Sequence, residues 1–169
     1  MNKNWQGLVK ILEIQHIRDG KVIWQDQNIL NTLHEQGEYF LLQCVFNNSG
    51  SLPPANLYFG LDARVLINTT NTMSSIYLEP TSNGYFRQPV STVNGFTLEY
   101  TNGAYRAISQ IVTFTATGGG WGPVSTLFLA TSSDNSGLLI ASNLLSDTVT
   151  TQSGDTLTMR MSLSLQDSA

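Results

Sequence analysis

The chain is predicted to be mainly β: a two-sheet antiparallel β-sandwich of jelly-roll type with one α-helix near residues 32–46. Three observations lead there. Thr, Ser and Asn number 18, 17 and 14 among 169 residues, a composition suited to hydroxyl-lined strand faces and polar turns and not to a helical bundle. From position 56 onward, clusters of Gly, Asn, Ser and Pro recur at roughly every dozen residues, the spacing of short strands in all-β domains. The final run, Thr156 to Leu165, alternates strictly: Leu157, Met159, Met161, Leu163 and Leu165 share one face, while Thr158, Arg160 and Ser162 share the other.

The elements follow in order. Leu8 to Ile17 and Val22 to Trp24 flank Asp19-Gly20, a pair suited to a two-residue hairpin turn, and Met1 to Gln6 is left as a free arm. Asn31 or Thr32 can cap a helix, and Thr32 and Glu35 have capping-box spacing. Leu33, Phe40, Leu41, Cys44 and Val45 then recur at helical intervals, with Gly37 on the same side for close approach. Residues 47–55 form a connector in which Pro53-Pro54 bars continuation of the helix. Strands are expected at Asn56 to Leu61, Ser75 to Leu78, Tyr85 to Val90, Phe96 to Tyr100, Tyr105 to Ala116, Val124 to Ala130, Leu138 to Ser142 and Thr156 to Leu165. Ile111 breaks the alternation within the fifth of these, and Gly118-Gly119-Gly120 reads as a tight loop. The whole, residues 1–169, is expected to be one domain, with hairpin and helix in 1–46 and a strand-rich body in 56–165.

Charge narrows the function classes. Eight Lys and Arg against twelve Asp and Glu give a net charge of −4, and the basic residues are scattered, so neither nucleic acid nor an anionic membrane is an expected partner. No apolar stretch suits a signal peptide or a membrane span, so the product is expected to be soluble and made in the cytoplasm. Cys44 stands alone, which excludes an intrachain disulfide and reads as a small core hydrophobe. The sequons at Asn47-Asn48-Ser49 and Asn68-Thr69-Thr70 mean little without a secretory route.

Catalytic signatures are missing. His16 and His34 lack metal-ligand spacing, the Gly run at 118–120 leads into a strand rather than a helix, and no G-x-S-x-G occurs, so neither a cofactor, a metal nor an enzyme is predicted. Asp62, Glu79, Glu99 and Asp155 fall at strand ends or beside turns, where carboxylates are solvated, and Thr131 to Gly137 reads as a plain loop. Two pairs stand out as ion-pair or interaction residues: Asp62 with Arg64, and Glu79 with Arg87 across the Ser82-Asn83-Gly84 turn. Tyr85 and Trp121, with Tyr58, Tyr77, Tyr100 and Tyr105, are candidates for an aromatic contact patch or for core and rim aromatics.

The passages NLYFGLDAR, EPTSNGYFRQPV, VTFTATGGGWGPVSTLFLATSS, LIASNLL and SGDTLTMRMSLSL, in that order over Asn56 to Leu165, resemble those of small structural proteins of tailed-bacteriophage virions. GKVIWQDQNILNTLHEQGE is similar to the same group. The resemblance implies a non-enzymatic subunit in the virion, foremost a capsid cement or decoration protein on the major capsid protein, and alternatively a neck, tail or baseplate component or a receptor- or glycan-binding module. It carries over no catalytic residue. Sheet faces rich in neutral side chains, with few charges to hold copies apart, add the expectation of a homo-oligomer, a trimer.

Overall fold

A computed structural model describes residues 5–46, 53–101 and 103–167. The Asn47 sequon and most of the 47–55 connector lie outside that range, as do Met1 to Asn4. Strand β1 (Trp5–Arg18) turns back into β2 (Lys21–Leu33) through Asp19 and Gly20, whose φ angles of 49° and 71° are the left-handed pair that a type I′ turn demands. Trp5 and Gln6 sit opposite Asp167 and Gln166, so they belong to the ladder and not to a free arm. Then come α1 (Glu35–Phe46), β3 (Asn56–Asp62), a 3₁₀ turn (Met73–Ser75), β4 (Gln88–Ser91), β5 (Phe96–Thr101), β6 (Ala104–Ser109), β7 (Val112–Thr115), β8 (Val124–Ala130), β9 (Leu139–Val149) and β10 (Thr156–Asp167).

These strands form a single hydrogen-bonded path in the order β4-β3-β8-β9-β2-β1-β10-β6-β5, with β7 pairing β10 beyond the end of β6. All pairings are antiparallel. The jelly-roll sandwich of two separate sheets is not what forms. β2 belongs to both halves: it pairs β1 from Lys21 to Asn31, and then Thr32 and Leu33 cross to β9, opposite Ser142 and Ala141. At the far end of the path β4 lies against β7, so the sheet curls into a nearly closed, barrel-like shape. Turn spacing reveals how many strands there are but not which of them pair, and a strand of 13 residues, roughly 40 Å long, spans both layers.

The core fills the inside of this curl. Val9, Ile11 and Ile14 from β1 meet Leu157, Met159 and Met161 from β10, Phe59 and Leu61 from β3, and Leu127 and Leu129 from β8. Every residue of β8 is buried, because its outer face is covered in turn: Phe128 and Ala130 pack with Met73, Ile76 and Leu139 in a second cluster. That double covering explains its unbroken apolar run. The loose alternation of β1 also has a cause. Its register against β10 slips between Ile11 and Glu13, so Leu12 is an extra residue, and the inward set changes from Val9 and Ile11 to Ile14 and His16.

Several expectations need correction. The helix begins at Glu35 and not at Thr32, since Thr32 and Leu33 remain in the ladder and the His34 carbonyl accepts the Gly37 and Glu38 amides; the Thr32–Glu35 capping box does not form. Phe40 and Leu33 pack on the core, but Leu41 and Cys44 are only half-buried and Val45 is 71% exposed. Ser75 to Leu78 is no strand: it is the end of the 3₁₀ turn and an extended stretch fastened to β3 through Leu78. Tyr105 to Ala116 is two strands, broken at Gln110 and Ile111, where the Ser109 hydroxyl satisfies the Met161 amide in place of a ladder partner. Tyr85 to Val90 pairs only from Gln88. Leu157, Met159 and Met161 point inward and Arg160 outward as expected, but Ser162, assigned to the outer face, is buried as well, as is Ser164.

Candidate assembly surface

The paired charges lie inside the molecule and hold loops. Asp62 ends β3 fully buried; its Oδ1 accepts the Arg64 backbone amide at 2.9 Å and Nε at 2.8 Å, and its Oδ2 accepts the Leu78 amide at 2.9 Å. The Arg64 carbonyl in turn accepts the Thr126 hydroxyl at 2.6 Å. Glu79 and Arg87 form a two-pronged pair, Nε to Oε1 at 2.9 Å and Nη2 to Oε2 at 2.7 Å. The Tyr85 hydroxyl donates to Glu79 at 2.6 Å and accepts the Leu61 amide at 2.8 Å. Burial, with the Glu79 charge beside it, pushes the Tyr85 phenol well above its ordinary range. Arg87 also reaches the carbonyls of Ser132 and Asp134 and the Asn135 side chain, and its guanidinium lies 5.0 Å from the centre of the Phe128 ring.

The loop it grips is closed on itself. Asp134 Oδ1 accepts the Ser132 hydroxyl and both the amide and the hydroxyl of Ser136, and these hydrogen bonds hold its carboxyl down at about 2. Among the described residues, no group of three or more His, Cys, Asp or Glu side chains is placed to hold a metal ion. Trp121 is buried, with Tyr85 edge-on at a ring distance of 5.9 Å, and Phe114 stacks on Tyr85, also at 5.9 Å. It lies in the core, one of the two readings that the sequence left open. Of the six aromatics grouped in the sequence, only Tyr100 and Tyr105 meet on the surface, with ring centres 5.0 Å apart.

Two further networks were not singled out by the sequence. Asp155 accepts His16 Nε2 at 2.8 Å and Arg18 Nε and Nη2 at 2.9 and 2.7 Å, tying the turn before β10 to the end of β1. His34 Nε2 lies 2.7 Å from the Ser142 hydroxyl and its Nδ1 3.3 Å from the Thr69 carbonyl, at the point where β2 gives way to α1. Ser142 is itself buried, so this pair is closed to a substrate.

One part of the outer surface is apolar. Leu98, Ala107 and Leu163 lie opposite one another across β5, β6 and β10, in register with the core residue Val9, and Tyr100 with Tyr105 continues the same face. Inside the barrel this face is core; past Phe96 nothing in the chain covers it except the outer half of α1, among the described residues. The result is an open groove of about 890 Å³ between α1 and the β5–β6 hairpin. Its rim carries Phe46, Leu98, Tyr100 and Tyr105 at 78, 75, 65 and 70% exposure. Cys44 lines it, and burial pushes the thiol upward, away from the reactive thiolate. Hairpin parity places Leu98 and Tyr100 on one face with Tyr105, but the sequence does not say which face the body of the protein leaves open.

No helix among the described residues is long and apolar enough to cross a membrane. No curated protein matches the chain. Residues 32–165 match the family described as podophage GP4 fiber I protein gp80, a span that takes in α1, β3 to β9 and nearly all of β10. The expected kinship with tailed-phage virion proteins is thereby met, and the chain belongs to the podophage GP4 fiber I protein gp80 family, as a structural protein of a phage virion.

Proposed function

We propose that the protein is a non-enzymatic subunit of a fiber on a podophage particle, assembled with copies of itself as a trimer. The observation that carries this reading is the family match over residues 32–165, whose description names a fiber. It supports the tail-component alternative over the capsid cement or decoration role, and attachment to the major capsid protein is not required by it. The surface agrees with an assembled state. Leu66, Phe86 and Val93 are 82, 62 and 80% exposed, besides the groove rim, and such an abundance of uncovered large apolar side chains suits a chain whose working form is an oligomer. Neither nucleic acid nor a membrane is a partner in this reading, given the charge of −4.

The test is localisation on intact particles. Gold-labelled antibody against the protein is expected on fibers, with a few copies per particle. Label spread over the shell at the abundance of the shell protein would overturn the fiber reading and restore the decoration role.

A further inference from the structure

We infer that the fork between β2 and β9 is a binding site for one ordered water molecule, held by Asn31 and Asn143 and joining the two halves of the sheet. The fork opens just past Thr32 and Ser142, the last ladder pair on that side of the two strands. Continued by one step, the same register sets Asn31 opposite Asn143. Both side chains turn toward the core. Asn31 pairs with Val9 on β1 and Asn143 with Leu127 on β8, and residues directly opposite in a ladder share a face; Val9 and Leu127 are fully buried core residues. Further along, the strands are tied again where the Asp26 carboxylate accepts the Ser146 amide at 3.0 Å.

Asn143 is 97% buried, and its Nδ2 has no hydrogen-bond partner among the described residues. Asn31 Oδ1 and Nδ2 are enclosed in the same way and equally unpartnered. Left so, each atom would forfeit the hydrogen bond that it makes to solvent in the unfolded chain. A direct bond between the amides would serve Asn31 Oδ1 and Asn143 Nδ2 but leave Asn31 Nδ2 alone. One water serves all three, accepting from both Nδ2 groups and donating to Oδ1, and about three bonds is the usual number for a buried water. The lining decides against an ion: Val9, Leu33, Leu127 and Ala141 around the pair are apolar, and two neutral amides bring no charge to balance one. The place gives the bridge its purpose. β2 carries β1, β10, β6 and β5 on one side and β9 carries β8, β3 and β4 on the other, while Thr32–Ser142 and Leu33–Ala141 are the ladder pairs that join these runs. A water at the next position lengthens that short seam.

High-resolution crystallography of the full chain tests this. A single density peak is expected within roughly 2.7 to 3.2 Å of Asn31 Oδ1, Asn31 Nδ2 and Asn143 Nδ2. The two amides bonded directly to each other, or apolar side chains closed over them with no peak between, would overturn the site. The double change Asn31→Leu with Asn143→Leu removes the polar lining altogether, and the crystal of that variant is expected to show the peak lost. A peak that persisted in the folded variant would owe nothing to the amides and would also overturn the site. Should the variant fail to fold, the wild-type density decides by itself.

Discussion

Gly37 of α1 lies against the backbone of β9 at Ile140: a Cβ placed on Gly37 would be 2.2 Å from the Ile140 carbonyl oxygen. Helix and strand touch main chain to main chain, and His34, one turn earlier, donates its own amide to the same carbonyl at 3.0 Å. Gly37→Ala is therefore expected to destabilise the fold by roughly 2 to 3 kcal/mol through overpacking that backbone cannot relieve. Urea denaturation is the measurement; a change below about 0.5 kcal/mol, the range of an ordinary surface change, would show that α1 does not sit this close.

Arg87→Met is expected to cost roughly 3 to 5 kcal/mol, because Glu79 and Tyr85 lose the cation that faces them while staying partly enclosed. The same change removes the donors that grip Ser132 and Asn135. Hydrogen exchange should then accelerate in the 131–137 loop and stay slow in β8.

The register of β10 is checked by a pair of substitutions. Leu157 is fully buried, so Leu157→Ala should lose roughly 2 to 5 kcal/mol. Arg160 faces outward, and Arg160→Ala should stay within about 0.5 kcal/mol. Equal losses at the two positions would contradict the register.

Stability should fall in two stages as pH drops. Burial lowers the His34 imidazole below its ordinary 6.5, so between that value and its folded one the unfolded chain binds the extra proton; stability is full above about pH 6.5 and declines below it. The Arg18 hydrogen bond holds the Asp155 carboxyl far below its ordinary 3.8, so that contribution is full above about pH 4 and is lost at lower pH as Asp155 takes up its proton. Denaturation midpoints across the pH range should show both limbs. His34→Gln should flatten the upper limb and Asp155→Asn the lower, whatever each does to stability at neutral pH.

Much of the fold was legible from local rules. Asp19-Gly20 announced its hairpin, Gly37 its close approach, and Leu157, Met159 and Met161 their inward face, because each signal lies within a few residues of its cause. What local signals do not carry is partnership between distant segments. Nothing near Thr32 tells that its strand will find Ser142, and that pairing, costing nothing in β propensity, shortened the helix and merged two sheets into one. The candidate residues divide the same way. Asp62 with Arg64 and Glu79 with Arg87 were recognisable as pairs from short spacing, whereas the burial that makes them loop anchors comes from Leu78 and from the 131–137 loop. Trp121 stayed open between contact patch and core for the mirror reason, since Tyr85, which meets it edge-on, comes from a distant segment.

The pairing of β1 with β10 sets the order of events when the protein is made. β1 leaves the ribosome before the other described strands, yet its inner edge stays unpaired until β10, the last strand described, has also emerged, with Trp5 waiting for Asp167. Until then Val9, Ile11 and Ile14 have no Leu157 or Met161 to cover them. Folding dominated by such distant pairings is slow, so the growing chain passes through a long interval with its core open. During that interval the exposed core residues of β1 are open to aggregation, which a chaperone that holds the growing chain would limit.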